Sequence, residues 1–218
     1  MPALPALPTR DGADERAAPR SRKGERTRAR LLEAAKHVFE ERGFLDARIS
    51  DIADRAALSH GAFYHYFDSK EQVFREVAKA LDDRLSEPMD TVIFAPGSTA
   101  GPRDRIFVAI HRHLERYQQE ARIMRVIEEV ARYDEEVFAV RAAAGARHRT
   151  QIADSIRRMQ RRRIADPKLD PDLTAAALGS MVERFAEMWL AQGQLDADLE
   201  EAAGTLATLF VNALRVKA

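Results

Sequence analysis

The stretch Arg48 to Lys70, RISDIADRAALSHGAFYHYFDSK, decides the fold of this 218-residue chain. Ile49, Ile52, Ala53 and Ala56 fall at i, i+3, i+4 and i+7, the spacing of an apolar stripe on one face of a short helix rather than a strand. Ala57 and Leu58 make the turn. Ser59 is a good N-cap for a second helix, SHGAFYHYF, in which Phe63 and Phe67 stand four apart and can anchor it against the first. The remaining positions, His60, Gly61, Ala62, Tyr64, His65 and Tyr66, offer small and hydrogen-bonding groups suited to base edges and phosphates in a major groove. Ser69 with Gln72 makes an S-x-x-Q capping box for a third helix, whose first turn brings Lys70 beside the second. Two short helices joined by a tight turn, with a third following, are the grammar of a helix-turn-helix reading head.

Working outward on the N-terminal side, Met1 to Pro19 is rich in Pro and Ala without periodicity, and residues 1–24 are expected to form a disordered arm. A basic run follows. Arg20, Arg22, Lys23, Arg26, Arg28 and Arg30 face one acid, Glu25, so the arm is a candidate to follow phosphates or enter the minor groove; the bland alternative is a solvated tail. Thr27 is placed to cap the first helix, Leu31, Leu32, Ala35, Val38 and Phe39 form its buried stripe, and Gly43 suits its C′ position. The head is expected to span residues 25–70.

Residues 71–218 read as a larger helical body. Val73, Phe74, Val77, Leu81 and Leu85 continue the third helix of the motif until Pro88, so this helix joins head to body and would tilt the head if it tilted. Pro88 to Pro102 reads as a loop. Stripes then continue through Ile106, Phe107, Ile110, Leu114 and Tyr117, through Ile123, Met124, Ile127 and Val130, and through a long helix from Asp134 to about Arg163. Asp170-Pro171 is an N-cap with proline at N1, opening a helix that carries Leu178, Met181, Val182, Phe185, Met188, Trp189 and Leu190. The last helix starts near Asp196 or Asp198 and carries Leu199, Leu206, Leu209, Phe210, Val211 and Leu214. The expected fold class is all-α.

Composition narrows the function. Thirty-five basic and 35 acidic residues cancel, so any affinity for DNA must come from locally concentrated charge. No cysteine is present, no apolar run approaches the length of a membrane span, and no secretory leader is visible, which together lead to the expectation of a soluble cytoplasmic protein. A Gly-rich phosphate loop, a G-x-S-x-G elbow and a thiol nucleophile are all missing, so an enzyme is the remote reading. His111 and His113 point to different faces of a helix, and His111 with Glu115 lacks a third ligand, so neither a metal nor a cofactor is expected. The arginines at 157, 158, 161, 162 and 163 suit a solvated helix C-terminus.

Residues 27–77 resemble the TetR family of bacterial transcriptional regulators. The resemblance rests on Thr27-Arg28, Leu31-Leu32, Ala34-Ala35, Phe39-x-Glu41-x-Gly43-Phe44, Asp51-Ile52-Ala53, Ser59-x-Gly61, Phe63-Tyr64, Tyr66-Phe67 and Ser69-Lys70-Glu71. Two positions depart from the family's pattern: Arg48 stands where Thr or Ser usually caps a helix, and Ala57 stands where a turn glycine is usual. The resemblance implies DNA contacts at Ser59, His60, Gly61, Ala62, Tyr64, His65 and Tyr66, with phosphate contacts at Lys70, Thr27 and Arg48. It also implies a homodimer on a palindromic double-stranded operator. The dimer helices are expected at 170–216, with Leu178, Met181, Phe185, Trp189, Leu206, Phe210 and Leu214 at the interface. A hydrophobic or amphipathic small-molecule effector, lipid-like or an acyl-CoA, is expected in a body pocket drawn from Phe107, Ile110, His111, Leu114, Tyr117, Met124, Ile127, Tyr133, Val137, Phe138 and Arg141. The expected function is therefore a ligand-released repressor, with an ungated DNA-binding architectural protein as the alternative.

Overall fold

Ten α-helices and one π-helical turn make up the described part of the computed structural model, which covers residues 22–85, 89–97 and 99–216 without the side chains of 83, 89 and 90. The head is built from α1 (Arg22–Asp46), α2 (Ile49–Arg55) and α3 (His60–Phe63), and α4 (Lys70–Leu85) leaves it. Leu31, Ala34, Ala35, Val38 and Phe39 bury one face of α1, and Ile52, Ala53 and Phe63 bury the facing sides of α2 and α3. α1 bends at Gly43, whose φ of 74° suits a residue without a Cβ.

Several local expectations hold. The Ser59 hydroxyl accepts from the Ala62 amide and opens α3, and the Ser69 hydroxyl accepts from the Gln72 amide while Gln72 reaches back to the Asp68 amide, one residue before the predicted partner. Asp134, Asp170 and Asp198 cap α8, α9 and α10 with their carboxylates. Ala57 does take a left-handed backbone, φ 50°.

Other expectations are corrected. Residues 1–21 of the predicted arm lie outside the described residues, but Arg22, Lys23 and Gly24 already belong to α1. Thr27 therefore sits inside the helix, where its hydroxyl donates back to the Lys23 carbonyl at 3.0 Å instead of capping. The second motif helix is shorter than its pattern: α3 ends at Phe63, and residues 64–66 continue as a turn closed by the Tyr66 and Phe67 amides on the Phe63 carbonyl. The predicted loop from Pro88 contains a short helix, α5 (Met89–Ile93), which buries Val92 and Ile93.

The body comprises α6 (Pro102–Gln119), α7 (Ala121–Val130), α8 (Glu135–Arg161), α9 (Pro171–Ala186) and α10 (Leu199–Leu214). α9 packs along α8, with Gly179 so close to Ile152 that an added Cβ would sit 3.1 Å from its Cδ1. α10 lies along α6, and α9 runs into a π-helical turn, Glu187–Ala191, which packs on α7. Among the described residues no helix is long and apolar enough to cross a membrane.

Head and body share one continuous apolar cluster because α4 belongs to both. Phe74 meets Phe39 edge-on at 4.9 Å and Phe44 at 4.8 Å, while at the other end Leu81 is buried in the body. A left-handed alanine costs roughly 1–2 kcal/mol. After the greater unfolded-state entropy of glycine is subtracted, Ala57→Gly is expected to stabilise the protein by about 0.5–1 kcal/mol, read as a rise of a few degrees in Tm by circular dichroism.

Candidate functional site

Two sites emerge, a reading surface on the head and a cavity in the body. On the head, α3 and the turn after it hold Phe63 and Phe67 fully inward, as their spacing predicts. The opposite side presents His60, Gly61, Tyr64 and His65 to solvent; Ala62 and Tyr66 are half-buried. Tyr64 is 43% exposed, and its ring meets His60 edge-on at 5.4 Å, so both aromatic groups stand on one outward face. Arg48 precedes α2 in extended conformation, is exposed, and makes no side-chain cap.

Lys70 does something the sequence did not reveal. Its Nζ donates to the carbonyls of Phe44, Leu45 and Ala47 at 2.7, 3.1 and 3.1 Å and lies 4.6 Å from the Phe44 ring centre. An ammonium has three donors, and all are committed here to the end of α1. The predicted phosphate role of Lys70 is thus replaced by a clamp that fixes α1 to α4. The basic run is partly absorbed in the same way. Arg28 pairs with Glu76 at 3.1 Å and stacks over Phe67, and Arg30 donates to the Ala56 carbonyl.

In the body, two adjoining hollows share Leu85, His113 and His148 as walls. The first, a small hollow of about 30 Å³ partly open to solvent, is lined mainly by Val92, Ala109, Ile110, Ile152, Val182 and Phe210, with Arg116 at its edge. The second, of similar size, has more charged side chains at its walls and reaches Asp82, Tyr117, Met124, Arg141 and Glu183. Leu85 and Asp82 come from the far end of α4. Arg141 is held by Glu128 at 2.7 Å and lies 3.8 Å from Glu183, and Asp82 pairs with Arg147. Burial and the neighbouring Glu128 push the Tyr117 phenol up from its usual range.

Of the predicted pocket residues, Ile110, Tyr117, Met124 and Arg141 line these hollows. Leu114, Ile127 and Val137 are core, and Phe107 is packed against it. Tyr133, in the turn before α8, and Phe138, on the outer side of its first turns, are exposed. His111 faces Glu200 at 3.7 Å. Sequence reasoning missed His113 and His148, whose rings stack at 5.3 Å between the hollows; nothing in their spacing, 35 positions apart, could pair them. Burial, then the neighbouring His148 and Arg116, lower the His113 pKa to about 3, and burial lowers that of His148.

The predicted interface residues also need correction. Leu206, Phe210 and Leu214 are buried inside the subunit, where α10 meets α6, and Leu178 and Trp189 are largely buried too. Met181 and Phe185 are half-buried. The outward side of α10 instead carries Thr205, Thr208, Leu209, Asn212 and Ala213, with Leu173 exposed on α9.

Residues 31–77 match the sequence profile of the bacterial regulatory proteins of the tetR family. That stretch belongs to the TetR family of bacterial transcriptional regulators. The chain is 25% identical over 178 residues to the uncharacterized HTH-type transcriptional regulator YdgC of Bacillus subtilis, covering 80% of this chain and 86% of that one. It is 36% identical over 111 residues to the HTH-type transcriptional repressor KstR2 of Mycobacterium tuberculosis, covering 46% of this chain and 52% of the repressor. The fold is similar to the crystal structure of a TetR-family transcriptional regulator from Mesorhizobium loti, with a TM-score of 0.75 at 18% identity over 88% of this chain and 98% of that one.

Two measurements check this site. Lys70→Met keeps the stem but leaves three carbonyls without their donor, and is expected to lower stability by about 2 kcal/mol in urea unfolding. The regulator is also expected to lose stability as pH falls. His113 has a depressed folded pKa, so the unfolded chain binds the extra proton below about 6.5, and stability falls by roughly 1.4 kcal/mol per pH unit from there towards pH 3, with His148 adding to the slope. Calorimetry of the wild type and His113→Phe between pH 7 and 5 is expected to show a shallower slope in the variant.

Proposed function

We propose that this regulator is a homodimeric repressor that leaves a palindromic operator when a hydrophobic or amphipathic small molecule enters the body cavity. The observation that carries the reading is the position of α4. Its first turns, through Lys70 and Phe74, are built into the reading head, while Asp82 and Leu85 at its other end form walls of the two hollows. The helix is about 24 Å long, from its 16 residues, and is rigid enough to move the head when its body end is displaced. A ligand that binds the displaced arrangement better shifts the population toward it, and the operator is released to the extent of that difference.

Operator contact is assigned to His60, Gly61, Tyr64 and His65, the outward side of α3 and the turn after it, with Ser59, Ala62 and Tyr66 at its margins and Arg48 at the adjacent backbone. A four-residue helix presents few side chains, so two heads related by a two-fold axis are needed for useful specificity, on half-sites about one DNA turn or slightly more apart. The dimer is assigned to the outward side of α10 together with α9. Small residues such as Ala213 and Thr208 there permit close helix approach, and Leu209, 47% exposed, supplies apolar area that a second copy would cover.

The tests are direct. On double-stranded sites selected from a random pool, Tyr64→Ala is expected to weaken binding at least tenfold by fluorescence anisotropy with an unchanged melting curve; unchanged affinity would remove α3 from the interface. Leu209→Asp is expected to turn a dimer into a monomer at micromolar concentration in size-exclusion chromatography with light scattering. A monomeric wild type would overturn the dimer.

A further inference from the structure

We infer that His113 selects the effector, and that the class it selects is an apolar molecule carrying an uncharged hydroxyl or carbonyl that hydrogen-bonds to its Nε2. This rests on the body cavity being the effector site and deepens that reading. The imidazole stands on α6 at the boundary of the two hollows, stacked on His148 of α8, and both hollows touch it. Its Nε2 is sealed from solvent and has no hydrogen-bond partner. Leaving such an atom unpaired costs roughly 1–3 kcal/mol, which a ligand group placed against it recovers on binding.

Charge decides the class. Arg141 is already held by Glu128 and Glu183, and Asp82 by Arg147, so the polar hollow consists of matched pairs. Arg116, at the edge of the apolar hollow, acts with His148 and burial to keep His113 unprotonated. A carboxylate entering here would meet Glu183 and Asp82 with no cationic imidazole to receive it, and a cation would meet Arg116 and Arg141. An uncharged donor or acceptor meets neither penalty. The neighbouring apolar walls, Val92, Ile110, Ile152, Val182 and Phe210, take the body of such a molecule. Discrimination follows because a site that leaves a buried polar atom unsatisfied rejects the analogue lacking its partner.

The experiment uses three matched probes, 2-naphthol, naphthalene and 2-naphthoate, titrated by calorimetry into the full-length wild type and His113→Phe. In the wild type, 2-naphthol is expected to bind at least tenfold tighter than naphthalene, with 2-naphthoate weakest, and this order is expected to hold between pH 8 and 5.5. His113→Phe is expected to equalise 2-naphthol and naphthalene, and His113→Gln to restore part of the preference. The ¹⁵N shift of His113 Nε2 in the wild type is expected to move with 2-naphthol and not with naphthalene, a readout that needs no variant to fold. Equal binding of naphthol and naphthalene by the wild type, or a naphthoate affinity that leads the series or climbs on acidification, overturns the selection by His113 and leaves the cavity in place. Failure of all three to bind a protein that still binds its operator overturns both.

Discussion

Everything in this molecule depends on α4 being shared between two cores. Its Phe74 is wedged between Phe39 and Phe44 of α1, so the helix cannot shift without carrying the three-helix head. Close-packed aromatic contacts transmit displacement because they have no slack. Lys70 adds a second attachment at the same end: one ammonium satisfies three carbonyls where the bend at Gly43 ends the regular helix. Such carbonyls would otherwise face solvent or go unpaired. The head is thus rigid with respect to α4, and its orientation is set from the body.

A second tie runs through charge. Lys36 of α1 reaches Glu120, between α6 and α7, at 2.7 Å, and Arg84 of α4 bridges Glu120 and Glu33. These pairs are not equal. Lys36 and Glu120 each expose only 12% of their side chains, whereas Arg84 and Glu33 expose 43% and 50%. Exposed pairs contribute about 0–1 kcal/mol, while removing one partner of a poorly solvated pair strands the other charge. Lys36–Glu120 is therefore the better shielded of these head-to-body contacts, and Arg84–Glu33 adds little to it.

The body is built on the opposite logic from the head. It keeps unfilled space, and it keeps polar groups at the edge of that space in matched pairs, with the stacked histidines between the two hollows. Burial makes protonation of both imidazoles unfavourable, and for His113 the neighbouring Arg116 adds to it. The π-helical turn after α9 carries Trp189 into the core, and Glu187 at its start pairs with Arg184 at 2.7 Å.

The sequence by itself determined the head. Its information is local: apolar residues three and four apart, serine and aspartate caps, a glycine bend and an alanine forced left-handed all act within one or two turns of chain. The family resemblance rests on that same stretch. What only the tertiary structure decided lies between segments distant in sequence. The carbonyls that occupy Lys70 are more than twenty residues upstream. α10 is apolar on more than one face, and only its packing on α6 shows that Leu206, Phe210 and Leu214 belong to the subunit, leaving Leu209 outside. His113 of α6 and His148 of α8 became a pair only through the packing of the whole body. Periodicity reports that a residue is buried, but not what it is buried against, because the partner is chosen by how whole helices pack.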